Sequence, residues 1–231
     1  MGRLILWDID GTLIRGGGVG SQALKRAACE VAALADIPRV DPHGKTDPQI
    51  LREMFQAAQV DPERIDGFVA DATIGMERAL AELEHELRAK ASILPGVVEV
   101  LKRIDALADV RQTLLTGNIA ANAAIKVAAF GLTEFFDAEV GAYGTDHEDR
   151  LELVPIALDR VERVRGERYD PSDVWVVGDT PMDLACARAG GVRCLLVGTS
   201  AHGYDSVRHL PADEVLVDLS EVDRVVGILT G

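Results

Sequence analysis

Six short runs that are typical of strands constrain the fold more than any other feature of this sequence. They are Leu4–Trp7, Val110–Leu115, Phe136–Val140, Val174–Val177, Cys194–Val197 and Val215–Val217. Several are apolar throughout rather than alternating, which is typical of strands buried on both faces. Helical patterns lie between them, and strands that alternate with helices favour βαβ units. The sequence therefore predicts an α/β core with a Rossmann-like, doubly wound parallel sheet.

Apolar residues three and four apart predict the helices of this core. They are expected at Val97–Leu107, Ile119–Phe130, about Leu151 to Val164, and from about Val222. Gly131 is expected to end the second of these helices, with Leu132 packing back against it.

One long stretch interrupts the alternation of strands and helices. Roughly a hundred residues separate the first two strands, which is more than an ordinary crossover needs. They contain no convincing strand, and amphipathic helices are expected at Leu24–Leu34, Ile50–Ala58 and Ile65–Leu87. We predict an α/β core from residues 1–14 and 94–231, and a helical domain, here called the helical insert, from residues 15–93. The glycines at 16–18 and the Leu-Pro-Gly segment at 94–96 interrupt regular secondary structure and could act as flexible linkers.

The charge balance narrows the range of partners. The 231 residues include 38 acidic and 24 basic side chains, so the net charge is −14 with histidine neutral. Such a chain has little unspecific attraction for nucleic acid or anionic membranes. No segment approaches the ~20 apolar residues of a membrane span. We therefore expect a small-molecule partner, with neither nucleic acid nor membrane.

The cysteines give an expectation about the cellular setting. Cys29, Cys186 and Cys194 are an odd number and form no C-x-x-C pair. This pattern argues against a disulfide framework and against a zinc site. A reducing, cytoplasmic setting is expected.

Two carboxylates follow the first predicted strand directly, within the segment Asp8–Thr12. Because side chains alternate along a strand, Asp8 and Asp10 point the same way beyond its C-terminal end, where open α/β sheets bind ligands. Their repulsion raises one pKa unless a cation lies between them, and Mg²⁺ suits such oxygen ligands. The alternative is a structural turn in which this segment only caps and reverses the chain.

Another apolar strand ends in an acid, Asp179, and a further acid, Asp183, follows four residues later. Asp179 is expected at the same sheet edge as Asp8. Asp183 is expected in the first turn of the next helix, where it could be a further metal ligand. The alternative for Asp183 is helix capping, because Asp179 or Thr180 before Pro181 is a good helix start.

A possible anion site follows a further strand at Thr116. Its hydroxyl and the free amides of Gly117 and Asn118 lie at the start of a predicted helix, whose dipole favours negative charge. The alternative is that Asn118 is an ordinary N-cap.

The order and strand context of these motifs resemble the haloacid dehalogenase-like hydrolase superfamily. Within it, the chain resembles phosphatases with a small helical (C1-type) cap, such as phosphoglycolate phosphatase. The first motif, D-x-D-G-T, stands at Asp8–Thr12, the second at Thr116, and the fourth, G-D-x-x-x-D, at Gly178–Asp183. The helical insert lies between the first two motifs, where that family places its cap. The resemblance implies a Mg²⁺-dependent phosphatase that acts on a small phosphorylated metabolite.

The resemblance also implies a role for each matching residue. Asp8 would be the nucleophile that forms an aspartyl-phosphate, and Asp10 would be the acid and then the base. Mg²⁺ would be held by Asp8, the backbone carbonyl of Asp10, and Asp179, with Asp183 supporting it directly or through water. Phosphate would be bound by Thr116, Gly117 and Asn118 together with one cation.

The family's third motif, a Lys often followed by Pro, has no match here, and Asp146–Arg150 stands in its place. Arg150 is the best positional replacement, since a guanidinium binds phosphate bidentately. Lys126, on the helix after Thr116, is the competing candidate. Arg150 could instead be a solvated residue at a helix start.

Inside the insert, His43–Pro48 resembles the turn that faces the active site in related caps. His43 and Lys45 could recognise the leaving group of the substrate. The alternative treats Asp47 as an N-cap with Pro48 at the first helical position.

Three functions stay open at this point. The first is a phosphatase, the second a sugar phosphomutase of the same superfamily, and the third a catalytically silent interaction protein. Dehalogenase chemistry is disfavoured because the dehalogenating branch lacks an acid at the position of Asp10.

Overall fold

The computed structural model describes residues 2–231, and a parallel six-stranded sheet forms its centre. The strands of the molecule are β1 (Arg3–Trp7), β2 (Ile14–Arg15), β3 (Ser92–Ile93), β4 (Val110–Thr116), β5 (Ala142–Tyr143), β6 (Val174–Gly178), β7 (Arg193–Val197) and β8 (Glu214–Leu216). The order in the sheet is β5-β4-β1-β6-β7-β8. Because β1 lies between β4 and β6, the ends of these strands are neighbours.

Helices cover both faces of this sheet. The helices of the molecule are α1 (Val19–Ala32), α2 (Asp47–Ala57), α3 (Pro62–Glu82), α4 (Glu84–Lys90), α5 (Val97–Asp105), α6 (Ala120–Ala129), α7 (Leu153–Arg165), α8 (Pro181–Ala189) and α9 (Val222–Thr230). Those that pack on the sheet are α5 to α9. Ile5 and Trp7 of β1 pack with α5, α6 and α9, whereas Leu4 and Leu6 pack with α7 and α8. The continuous apolar strand is therefore buried on both sides, and the predicted doubly wound fold is confirmed.

The core helices form close to their predicted positions. Gly131 follows α6 with φ +68°, and the Leu132 amide donates to the Val127 carbonyl at 2.9 Å. Leu132 is buried, so the predicted helix end is confirmed.

The predicted strand at Phe136–Val140 is wrong. The chain there forms 3₁₀ turns at Thr133–Phe135 and Ala138–Val140, and the edge strand is β5 instead. The segment contacts β4 around Asp137, whose carbonyl accepts from Thr113 Oγ1 at 2.7 Å. Val140 is fully buried from the turn, so burial accounts for the apolar pattern without a strand.

Helices α1 to α4 make up most of the helical insert, and α1, α2 and α3 share a separate apolar core around Leu51, Phe55 and Met76. The long predicted helix is divided at Leu83 into α3 and α4. The expectation of no strand missed the two-residue antiparallel pair β2–β3, which is too short to give a periodic signal. This pair brings together the two segments by which the chain enters and leaves the helical insert. The exact domain boundaries remain a prediction.

None of the helices within residues 2–231 has the length and apolar character to cross a membrane.

Candidate active site

One cavity of about 650 Å³ lies at the carboxyl ends of β1, β4 and β6. Asp8 follows β1, Thr116 ends β4 and Asp179 follows β6. The strand order therefore brings three distant sequence segments together. The predicted site residues that line the cavity are Asp8, Asp10, His43, Lys45, Thr116, Gly117, Asn118, Lys126, Arg150 and Asp179. Asp183 is completely buried behind them.

Asp8 is buried next to a buried cation. Its side-chain oxygen Oδ1 lies 3.2 Å from Arg150 Nη2, and its amide donates to the Val177 carbonyl at 2.9 Å. Burial raises the pKa of Asp8 to about 7; the charge of Arg150 opposes this rise, and those of Asp183 and Asp10 add to it. Arg150 thus holds Asp8 in place, but its positive charge does not fully offset the cost of burying the ionised carboxylate.

Asp183 caps α8, as predicted, and also pairs with a buried cation. Its Oδ2 accepts from the amides of Asp179 (3.1 Å) and Thr180 (2.9 Å) and from Thr180 Oγ1 (2.7 Å) at the start of α8. Its Oδ1 accepts from Arg150. The capping explanation therefore holds for one oxygen and the other pairs with Arg150, while the role of Asp183 toward a metal ion stays a prediction.

Three carboxylates could hold a metal ion. Oxygens of Asp8, Asp179 and Asp183 all lie within 4.8 Å of one another. Burial and the charges of Asp183 and Asp8 raise the pKa of Asp179 to about 9. Neighbouring buried carboxylates repel one another, and this repulsion favours their protonation. A hard divalent cation bound between them removes the repulsion. The residues present therefore fit Mg²⁺, as the sequence predicted.

Gly11 permits this crowding. It has φ +88°, and a Cβ at this position would overlap the Asp179 carboxyl group, 2.6 Å from its Cγ. The glycine of the first motif is therefore required both by the turn and by the close approach. Thr12 Oγ1 donates to Asp179 Oδ1 at 3.4 Å, which also links the two strand ends.

Asp10 differs from Asp8 in exposure and in partners. Its side chain is 42 % exposed, and its Oδ2 accepts from Lys126 Nζ and, at 2.8 Å, from Asn118 Nδ2. Lys126 also donates to Asn118 Oδ1 at 2.6 Å and is almost completely buried. Asp10 is therefore oriented by two fixed donors while it faces the cavity.

Both candidate cations for the unmatched third motif enter the site, at different carboxylates. Arg150 contacts Asp8 and Asp183, whereas Lys126 contacts Asp10. Arg150 is 3 % exposed, so the alternative of a solvated residue at a helix start is wrong. Burial lowers the pKa of Arg150, but the charges of Asp183 and Asp8 outweigh this and raise it. Its Nε is buried without a hydrogen-bond partner within residues 2–231.

The turn after Thr116 holds its side chains inside the site. Thr116 Oγ1 accepts from the amide of Asn118 at 3.3 Å and from its Nδ2 at 2.8 Å. Asn118 does not cap α6, because Ile119 occupies the N-cap position. The N-cap alternative for Asn118 is therefore wrong, and this side chain serves Asp10 and Lys126 instead.

The helical insert contacts this turn directly, and sequence reasoning missed the contact. The amide of Asp47 donates to the Gly117 carbonyl at 2.7 Å, and the Asp47 carboxylate accepts from the Ile119 amide at 2.9 Å. Thr46, not Asp47, is the N-cap of α2. The capping alternative for Asp47 is therefore wrong. An acid in the first turn of a helix is common, so the sequence carried no local signal of this tertiary partner.

Asp47→Asn should change how stability depends on pH. Burial raises the pKa of Asp47 from 3.8 to about 6, although Lys126 and the Ile119 amide oppose the rise. The folded state therefore binds the proton more tightly than the unfolded state, and this group makes the free energy of unfolding fall as pH rises from about 4 to about 6. Urea unfolding should show the variant gaining stability relative to the wild type as the pH rises across this range. Above about pH 6 the difference in unfolding free energy between the two proteins should be constant.

Asp47→Ala provides the matched comparison, because it removes the ionisable group and also the acceptor for the Ile119 amide. It should be less stable than Asp47→Asn throughout the range. A difference between wild type and Asp47→Asn that does not vary between about pH 4 and about pH 6 would contradict the assignment.

The two predicted recognition residues lie on the insert side of the cavity, and each already has a partner. Lys45 Nζ contacts Glu53 Oε2 at 2.5 Å, and His43 Nδ1 contacts Asp41 Oδ1 at 2.5 Å. Their role toward a leaving group stays a prediction.

Residues 5–188 match the family model of haloacid dehalogenase-like hydrolases. The chain belongs to this family. The predicted superfamily is thus confirmed, and the protein is a hydrolase. The matched range contains all the motifs at which the sequence resembled the family. A search of curated proteins finds no match.

Solved structures share the whole fold at low sequence identity. CbbY from Rhodobacter sphaeroides in complex with phosphate is 19 % identical, with 96 % of each chain covered and a TM-score of 0.70. A mutant of CbbY in complex with xylulose-1,5-bisphosphate is 18 % identical, with 96 % of each chain covered and a TM-score of 0.68. A predicted phosphatase from Clostridium acetobutylicum is 14 % identical over 99 % of this chain and 100 % of its own, with a TM-score of 0.69.

Proposed function

We propose that the protein is a Mg²⁺-dependent phosphatase that hydrolyses a small phosphorylated metabolite through an aspartyl-phosphate. The observation that carries this proposal is the pairing of a buried carboxylate, Asp8, with a neighbouring exposed carboxylate, Asp10, in one cavity. Different surroundings give the two acids different chemistry. The family supports hydrolysis, and the phosphate-bound neighbour supports a phosphorylated substrate.

Asp8 is the proposed nucleophile. One of its oxygens attacks phosphorus, and the bond from phosphorus to the leaving oxygen breaks. Arg150 holds Asp8 Oδ1 at 3.2 Å and so limits its orientation.

Asp10 is the proposed proton carrier. It gives a proton to the leaving oxygen in the first step; in the second it takes a proton from the water that attacks phosphorus and releases Asp8. Lys126 and Asn118 fix the Oδ2 of this carboxylate. Its exposed fraction of 42 % leaves it access to the leaving group and to water.

Asp8, Asp179 and the carbonyl of Asp10 would hold Mg²⁺, and Asp183 would support them. When bound, the ion would balance the carboxylates and stabilise negative charge on the phosphoryl group. The four carboxylates face two buried cations, Lys126 and Arg150, so the ionised set carries two net negative charges. A divalent cation balances that excess.

The phosphate cradle is formed by the turn that follows β4. Thr116 supplies a hydroxyl and Gly117 a backbone amide near the start of α6, whereas the Asn118 amide donates to Thr116 Oγ1 at 3.3 Å. The insert covers Gly117 so closely that a Cβ there would meet Thr46 Cα at 3.0 Å. A bound phosphoryl group would therefore be shielded from water on that side, which protects the reaction from competing solvent.

Phosphate release from a panel of phosphorylated metabolites tests the proposal, with Asp8→Asn as the blank. The panel should contain sugar phosphates and sugar bisphosphates, since a neighbour binds xylulose-1,5-bisphosphate. Release of phosphate from at least one member by the wild type, and not by the variant, is expected. A coupled assay for an isomerised sugar phosphate tests the phosphomutase alternative, and isomerisation without phosphate release would overturn hydrolysis.

Metal removal should abolish turnover reversibly. EDTA is expected to lower phosphate release to background, and added Mg²⁺ to restore it. Asp179→Asn should need a higher Mg²⁺ concentration, because it removes one buried oxygen charge from the ligand set. Asp159→Asn is a matched control, as its side chain is 74 % exposed on α7. Full activity in EDTA would rule out the metal requirement.

A further inference from the structure

A second cluster of metal-ligating side chains lies at the rim of the cavity, where the insert meets the core. His43 belongs to the loop before α2, and His202 to the loop after β7. Their rings are T-shaped, with centroids 4.4 Å apart and an interplanar angle of 62°. Asp41 Oδ1 lies 2.5 Å from His43 Nδ1 and also accepts the His43 amide at 3.1 Å. The loop therefore holds one carboxylate and one imidazole beside the imidazole of the core.

The donor set differs from that of the buried carboxylates. Asp41, His43 and His202 each offer one ligand atom, and these atoms all lie within 4.8 Å of one another. Two imidazoles and a carboxylate with an open position suit Zn²⁺ and similar transition-metal ions, whereas Mg²⁺ favours oxygen ligands only. The Asp41 side chain is 66 % exposed and that of His43 35 %, so an ion can enter from solvent.

We propose that Asp41, His43 and His202 form a second metal site, which binds a transition-metal dication such as Zn²⁺ and links the helical insert to the core. Water completes the coordination at the exposed side. Both histidines bind the ion as neutral imidazoles.

The position of this site gives it an effect on the main cavity. His43 itself lines that cavity, and so does Ala201, the residue before His202. Gly44, directly after His43, has φ +71° and approaches the core so closely that a Cβ would lie 2.6 Å from Met182 Cβ. An ion that joins the two loops therefore holds the insert against the core and slows the opening that exchanges substrate and product.

Titration with Co²⁺, as a spectroscopic substitute for Zn²⁺, tests the site in protein kept in excess Mg²⁺. We expect one Co²⁺ per chain with visible d–d absorption, and its displacement by Zn²⁺. His43→Ala and His202→Ala should each weaken binding by at least about tenfold. His209→Ala is the matched control, since this exposed histidine lies outside the cluster. Wild-type binding by His202→Ala would overturn the proposal, as would loss of the signal in Asp179→Asn but not in His202→Ala.

Amide hydrogen exchange tests the link between insert and core. Zn²⁺ should slow exchange of the Asp47 and Ile119 amides, which bond across the contact between insert and core, in the wild type but not in His202→Ala. Equal exchange with and without Zn²⁺ in the wild type would overturn the link. Neither measurement depends on catalytic activity.

Discussion

Asp8→Asn should lower phosphate release by on the order of 10⁴-fold or more, the largest change expected for any single substitution. The amide cannot attack phosphorus, and no other carboxylate of the site combines burial with a position directly after β1. Steady-state turnover on the best substrate of the panel measures the loss. Rapid quenching followed by mass spectrometry should find the phosphoryl group on the peptide that contains Asp8 in the wild type only.

The control for Asp8→Asn is its folding. Asn is nearly isosteric and carries no charge to be desolvated, so the variant should keep a cooperative thermal transition. Asp159→Asn, on the exposed surface of α7, should retain wild-type turnover. Wild-type turnover in Asp8→Asn would rule out the covalent mechanism.

Arg150→Ala should have the largest effect on stability. It leaves Asp183, and the ionised form of Asp8, as buried carboxylates without their cation. Breaking a buried pair in this way typically costs about 3–5 kcal/mol of unfolding free energy. Urea unfolding at neutral pH measures the loss, and turnover should fall as well because Asp8 loses its orienting partner.

Arg150→Lys separates charge from geometry. Arg150 contacts both carboxylates through the single nitrogen Nη2. Lys restores the positive charge, but on a shorter side chain without the planar guanidinium, so it should recover part of the stability and less of the turnover. Arg163→Ala is the surface control: this side chain is 67 % exposed beside Asp159, and exposed pairs contribute about 0–1 kcal/mol. An Arg150→Ala variant as stable as Arg163→Ala would contradict the buried network.

Local patterns were sufficient for the carboxylates at the strand ends. β1 and β6 are buried on both faces, so their sequences are apolar until the chain leaves the sheet, where Asp8 and Asp179 stand. A polar residue directly after such a run must lie at the sheet edge. The fold class and these site positions were therefore predictable from the sequence.

Local patterns were misleading where tertiary contacts satisfied the same residues differently. Phe136–Val140 alternates apolar and acidic residues as a strand does, yet Val140 is buried from a 3₁₀ turn. Asn118 and Asp47 matched capping preferences, but their side chains bond to partners distant in sequence, at Asp10 and Ile119. Capping patterns depend on residue type alone and do not report such partners.

The sequence by itself determined the parallel sheet, the inserted helices and the order of the motifs, because these depend on hydrophobic periodicity and on residue types next to strand ends. Only the tertiary structure decided which carboxylate each cation contacts, how the insert contacts the core, and that two histidines lie together. Lys126 and Arg150 reach different carboxylates, and Asp47 and His43 meet the core across the insert boundary. Such contacts join segments far apart in the chain, and their distances are fixed by how helices pack on the sheet rather than by any local pattern.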